Sequence, residues 1–244
     1  MLGPGALAVV AVALLAGSFV NSLAGFGFAL VTVPLMALAV GPKDAVVLSA
    51  VYGLLSNGGV ALRHRTEVEV PVVRRLFAGS LVGLPVGLVV LAAVPATPLQ
   101  VAISVTVLVS VVVMARGWVF PHPRPWVDVV AGTCSGVLNT SVGVGGPPVV
   151  MDLHGRGLAK GPFRASAAAL FALSGAVALV LFAATGRLDL HLAVGAVLAL
   201  PAWPLGAWAG ERVHHRFPEE RFRALVLGLL VVTAVVTLGA ALAG

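Results

Sequence analysis

The 244 residues are 59% hydrophobic and 10% charged, with a formal net charge of +6. Runs such as 76–94 and 224–242 carry no charge at all, which excludes a soluble domain and points to a polytopic helical membrane protein. The basic residues fall between apolar runs and do not gather on one amphipathic face, so a nucleic-acid partner is excluded and the charges read as topology signals. Continuous apolar runs of roughly 20 residues also lack the dyad alternation of a membrane barrel.

The first apolar stretch, Leu7–Val40, is interrupted by Asn21-Ser22-Leu23-Ala24-Gly25-Phe26-Gly27. No basic segment precedes it and its apolar run outlasts a signal peptide, so it is expected to belong to the fold. Three ordinary spans follow at Ala45–Leu62, Leu76–Val94 and Leu99–Ala115. The second stretch, Val127–Leu158, is interrupted by Asn139-Thr140-Ser141-Val142-Gly143-Val144-Gly145-Gly146, and its three spans are Ala165–Ala184, Leu192–Ala209 and Ala224–Leu242. Cys134 is the one cysteine, which excludes an internal disulfide and a Cys-based metal site; the thiol is expected to pack on an apolar helix.

The two halves echo each other. Gly41-Pro42-Lys43-Asp44-Ala45 recurs as Gly161-Pro162-Phe163-Arg164-Ala165, and Leu84-Pro85-Val86-Gly87 as Trp203-Pro204-Leu205-Gly206, at an offset of about 120 residues. The sequence therefore predicts an all-α fold of two repeats, residues 1–118 and 119–244, each a broken hairpin followed by three transmembrane helices.

Charge then decides how the broken elements cross. If the second one crossed once, the fifteen Lys and Arg would divide seven against eight between the two faces, and the positive-inside rule would be silent. If it crosses an even number of times, thirteen share one face and only Lys43 and Arg187 lie on the other, a strong cytoplasmic bias. A hairpin follows, either of two full short helices or of two re-entrant half-helices. Roughly a dozen residues precede Asn139, spanning little more than half of a ~30 Å core, which favours the re-entrant form with its tip near the midplane. Each half then makes a net odd number of crossings. The repeats are inverted, as in many alternating-access transporters, and the two tips meet at a pseudo-two-fold axis.

A helix beginning at depth presents open N–H groups and the positive end of its dipole, so such a tip attracts anions. The candidate substrate-binding residues are Asn21, Ser22, Gly25, Phe26 and Gly27 in the first tip, with Phe26 as a gate or lid. In the second tip they are Asn139, Thr140, Ser141, Gly143, Gly145 and Gly146, where Pro147 suits a first helical turn. Glycines can also serve only to pack helices, but matched breaks in a duplicated frame are not what packing requires. By contrast, Gly79-x-x-x-Gly83-x-x-x-Gly87 and Gly206-x-x-x-Gly210 lie on unbroken spans and read as packing faces, internal or dimeric.

No ionisable residue lies in the middle of an apolar span, which disfavours a cation antiporter. Asp128, Asp152, His154 and Arg164 stand at the edge of the second broken element, as solvated interfacial groups or, for Asp152, His154 and Arg164, as an anion vestibule. Ser141 has no nearby base, there is no metal-binding His/Glu pattern and no phosphate-binding loop, so the chain is expected to be neither an enzyme nor dependent on a cofactor or metal.

Ala24-Gly25-Phe26-Gly27-Phe28 with Pro34 downstream, Gly143-Val144-Gly145-Gly146-Pro147-Pro148 and Arg164-Ala165-Ser166 resemble the sulfite exporter TauE/SafE family of bacterial membrane transporters, a likeness extending over essentially the whole chain. In the second repeat Asp152 takes the place of Pro34. The resemblance implies a cell inner-membrane carrier of sulfite or organosulfonates such as sulfoacetate, with export in most members and import in some. The expectation is a secondary transporter working by alternating access on a small anion in a lipid bilayer, with a proton or other ion as coupling partner and possible homodimerisation. A passive anion channel and a non-transporting membrane scaffold are the competing readings.

Overall fold

The computed structural model describes residues 3–24, 26–120, 124–188, 194, 197–214 and 219–243, with the side chains of 23, 24, 211, 213–226 and 243 left aside. Among these residues all regular structure is helical. The first broken element forms α1 (Pro4–Ala24) and α2 (Phe28–Val40), followed by α3 (Pro42–Arg63), a 3-10 turn at Arg65–Glu67, α4 (Val70–Ala93) and α5 (Ala96–Arg116). The second forms α6 (Pro125–Ser141) and α7 (Gly146–Gly155), followed by α8 (Lys160–Ala184), α9 (Ala202–His214) and α10 (Glu219–Ala243). Residues 192, 193, 195 and 196 of the predicted span at 192–209 lie outside the described residues, and α9 begins at Ala202 within the rest.

Local sequence accounts for the boundaries. Gly41, at φ 84°, ends α2, and Pro42 opens α3 at a position where its missing N–H has no intrahelical partner. Gly117, at φ 62°, closes α5 in the same left-handed way. α1, α3, α4, α5 and α8 are long and apolar enough to cross a membrane. α6 and α7, at 17 and 10 residues, reach only about 25 and 15 Å. α1 is longer than the half-helix expected, at 21 residues, so the shortness of the first hairpin lies in α2, with 13.

Outward faces are apolar, as lipid requires. Val82, Val86 and Val89 on α4 and Val105, Val109 and Val112 on α5 are exposed at helical spacing. Polar groups turn inward instead: Ser80, Ser104, Asp128, Thr140, Asp152 and Ser166 are buried. Cys134 departs from expectation, being exposed on α6 and not packed in the interior.

α4 lies along α6, α9 along α1, α3 along α8 and α5 along α10. Two of these contacts are backbone against backbone. A Cβ on Gly79, Gly83 or Gly87 would collide with the carbonyls of Val129, Thr133 and Val137 on α6, and one on Gly132 or Gly136 with Leu76 and Ser80 on α4. On α9, Gly206 and Gly210 meet the carbonyls of Leu15 and Phe19 on α1 in the same manner. Both glycine rows are therefore internal packing faces, where close approach supplies dispersion contact that lipid cannot.

The loops tie the helix ends into two groups. Lys43 Nζ donates to Ala92 O at 3.3 Å, joining the start of α3 to the end of α4. At the opposite end the Glu69 N–H donates to Ser166 Oγ at 2.9 Å and the Phe120 N–H to Met151 O at 3.2 Å, so the starts of α4 and α8 and the ends of α5 and α7 lie together. Arg63, Arg65, Arg74, Arg75, Arg116, Arg124, Arg156, Lys160 and Arg164 all belong to that second end.

Gly83→Ala is expected to force α4 off α6 and lower stability by about 1–3 kcal/mol. Gly59→Ala, where a Cβ meets nothing within 4 Å, should be neutral or gain about 0.5–1 kcal/mol. Thermal unfolding of the two variants in detergent checks the difference in sign.

Candidate functional site

The two tips come together. A small cavity of about 60 Å³ is lined by Asn21, Phe26 and Gly27 of the first tip and by Asn139, Gly143 and Gly146 of the second. Ser49, Gly53 and Asn57 of α3 and Phe171 and Gly175 of α8 complete its wall. These residues sit near the middle of two helices that are each long enough to cross a bilayer, so the cavity lies at depth and not at either end of the bundle.

Glycine makes the convergence possible. Gly27, at φ 99°, turns the chain into α2, and Gly143, at φ 75°, turns it between α6 and α7. A side chain at Gly143 would also press on Val33 Cγ2 of α2 at 2.8 Å, so the two tips touch there. α2 begins without a side-chain cap, and Phe28, Ala29 and Leu30, whose N–H groups have no intrahelical acceptor, line the cavity. α7 likewise begins uncapped at Gly145. Pro147 and Pro148 deprive its first turn of two donors, so the N–H groups at this cavity come mainly from α2.

Asn21 Nδ2 donates to Ser56 Oγ at 2.8 Å, while its Oδ1 is buried without a hydrogen-bond partner among the described residues. Asn57 repeats the pattern, its Nδ2 satisfied by Gly53 O at 2.9 Å and its Oδ1 left open. Beyond the Asn21–Ser56 bond lies a larger cavity of about 540 Å³, in the size range of organic-ligand pockets. Ser22, Ser56, Arg63, His64, Arg164 and Trp203 are on its wall, which makes it basic. Asn21 and Ser56 thus stand between a small neutral cavity at depth and a roomy basic one reaching toward the Arg63 end of the bundle.

Other predicted site residues fall elsewhere. Thr140 Oγ1 donates to Leu84 O on α4 at 2.6 Å, and Ser141 Oγ donates to Val137 O of its own helix at 2.6 Å, so the first joins two helices and the second is spent within α6. Gly145 is not on the cavity wall; a Cβ there would meet Ser135 O at 2.7 Å, and Ser135 Oγ donates to Gly145 O at 2.7 Å. Gly146, by contrast, faces open space. Gly25 lies outside the described residues. His154 stacks on Phe163 at 4.5 Å, and Phe163 meets Phe26 edge-on at 5.9 Å, an aromatic column linking α7 to the first tip.

Asp152 and Asp128 are fully buried, not solvated at an interface. Arg75 Nε donates to Asp128 Oδ2 at 2.5 Å, Arg156 Nη2 donates to Asp128 Oδ1, and Arg156 Nε reaches Asp152 Oδ2 at 3.4 Å. The network pins the first turn of α6 to the residue just past α7 and to α4, so both ends of the second broken element lie at the same end of the bundle.

Sequence reasoning missed the α3 and α8 contributions. The signal was present in Leu55-Ser56-Asn57 and Leu173-Ser174-Gly175, polar triplets at matching places in apolar spans. Ser174 Oγ lies 3.2 Å from Ser80 Oγ.

An all-helical bundle with apolar outer faces, two broken hairpins and a polar cavity at mid-height is a polytopic membrane protein built around an internal site. The chain belongs to the sulfite exporter TauE/SafE family, whose model matches residues 9–237. It is 24% identical over 229 residues to the probable sulfite/organosulfonate exporter TauE of Cupriavidus necator, covering 88% of this chain and 87% of that one. No solved structure matches it. By its description the family is one of membrane exporters and not of enzymes.

Asp128→Ala takes the carboxylate from Arg75 and leaves Arg156 only its long contact to Asp152, and is expected to cost about 3–5 kcal/mol. Chemical unfolding in detergent measures the loss; native stability in this variant would show that the network does not hold the hairpin.

Proposed function

We propose that this chain is a secondary transporter of small sulfur oxyanions, sulfite or an organosulfonate such as sulfoacetate, working by alternating access in the bacterial inner membrane. One observation carries the reading: two uncapped helix starts, one from each glycine tip, converge on a single cavity at depth. Open N–H donors and helix dipoles favour an anion there without placing a fixed charge in the membrane. Asn21, Phe26, Gly27, Asn139, Gly143 and Gly146 surround the anion. Arg164, with Ser22, Arg63 and His64, collects it in the larger basic cavity, while His154 and Asp152, which line neither cavity, act through the placement of α7.

The halves 1–118 and 119–244 act as inverted repeats. Exchanging them maps α4 on α6 onto α9 on α1, and maps α3 on α8 and α5 on α10 each onto itself, which is the pairing the helices adopt. Such an arrangement supports two equivalent ways of closing around one central site. The end bearing most of the arginines faces the cytoplasm by the positive-inside rule, so the large cavity opens inward, as an exporter needs to load. The relative from Cupriavidus necator, named a probable sulfite/organosulfonate exporter, supports this cargo and direction.

In proteoliposomes, sulfite counterflow is expected for the native chain and is expected to fall at least ~10-fold in Gly146→Leu, whose side chain enters the cavity, and in Asn139→Ala, which removes a half-buried amide from the cavity wall. Normal counterflow in both variants would remove the tips from the site, and anion current without counterflow would make the protein a passive pore.

A further inference from the structure

Asp128 and Asp152 are unequal partners in their cluster. Asp128 has a guanidinium on each oxygen, Arg75 at Oδ2 and Arg156 at Oδ1. Asp152 has one long contact, 3.4 Å from Oδ2 to Arg156 Nε, and its Oδ1 is buried with no hydrogen-bond partner among the described residues. An ionised carboxylate offers about four lone-pair sites to be satisfied. Asp152 is therefore the member whose negative charge is least supported, and a proton on Oδ1 removes that charge while leaving the Asp128 bridges intact.

The place of Asp152 on its helix gives such a proton a consequence. Asp152 lies six residues after Gly146, which lines the small cavity, so it stands about 9 Å along the axis of α7 from the tip. Two arginines and two aspartates balance when both acids are ionised; protonation of Asp152 leaves the cluster with one net positive charge. In the first repeat Pro34 holds the corresponding place, so the chain has one such position and not two.

We propose that Asp152 is a proton-binding site linked to anion binding at the tip of its own helix. This rests on the transport reading above. The bond formed is O–H on Oδ1, the proton comes from water, and no other bond changes. The charged and titratable groups on the elements around Asp152 are Arg156 and His154 on or just past α7, Asp128 on α6 and Arg75 on α4. Lys160 and Arg164 stand at the start of α8, and Arg116 ends α5. At ~9 Å in a partly screened interior, one added positive charge tightens anion binding on the order of ten-fold, and by linkage the bound anion tightens the proton by the same factor.

The test uses methanesulfonate, whose own charge is constant through the acid-to-neutral range, titrated into the detergent-solubilised full-length protein by calorimetry in two buffers of different ionisation enthalpy. The native protein is expected to take up a fraction of a proton on binding, at most about half near the midpoint, and to bind about ten-fold more tightly in acid. Asp152→Asn should bind with the tight, acid-like affinity at every pH and take up no proton. Asp152→Glu should keep the pH dependence with a displaced midpoint. Native binding that is indifferent to pH, or an Asp152→Glu profile coincident with the native one, overturns the proton site and leaves the anion site standing. Absence of binding at every pH overturns both. If Asp152→Asn fails to fold, the native titration and Asp152→Glu still decide the matter.

Discussion

Backbone N–H groups opened in the middle of an apolar bundle must find partners, because the bilayer offers none. Everything distinctive in this chain follows from how that demand is met. Gly27 and Gly143 take left-handed turns at depth, α2 and α7 start there without side-chain caps, and the amides of Asn21 and Asn57 are only half satisfied. A small cavity with asparagine amides and open N–H donors on its wall is the outcome, and on the proposed reading a small anion completes it.

Glycine plays two separate parts in building this site. At the tips it permits backbone geometry that other residues resist. Along α4, α6 and α9 it removes side chains so that helices meet backbone to backbone, as where Gly83 meets Thr133 O and Gly210 meets Phe19 O. The second use serves the first: a short hairpin such as α6–α7 cannot hold its place by spanning the membrane, and α4 grips α6 along a row of three glycines instead. At the base of the hairpin the grip changes from dispersion to charge, with Asp128 clamped by Arg75 and Arg156. Position at the tip is thereby set by contacts at both ends of the same element.

The helices and the two breaks were legible because apolar runs and Gly/Asn/Ser interruptions are local signals, and the glycine rows announced their own packing role. Which tip residues face the cavity was not legible. Gly145 and Gly146 are neighbours in sequence, yet one presses on Ser135 and the other faces open space, a difference set by the turn and not by residue type. Thr140 and Ser141 resembled ligands but give their hydroxyls to helix carbonyls, Thr140 across to Leu84 on α4 and Ser141 back to Val137 on its own helix, bonds that compete with any substrate. The aspartates misled in the opposite sense. Near the ends of apolar stretches they looked solvated, whereas Arg75, which is 53 residues away from Asp128, closes over it only in the folded bundle.

On the proposed reading the two cavities divide the work by size and charge, the basic space of about 540 Å³ collecting an anion and the neutral one of about 60 Å³ holding its oxyanion group at depth. Selenite, a heavier analogue of sulfite, tests that division directly, because selenium can be located by anomalous scattering from crystals soaked with the ion. A selenium peak is expected between Gly27, Asn139 and Gly146. A peak only beside Arg63 and Arg164, with the space between the tips empty, would contradict the division.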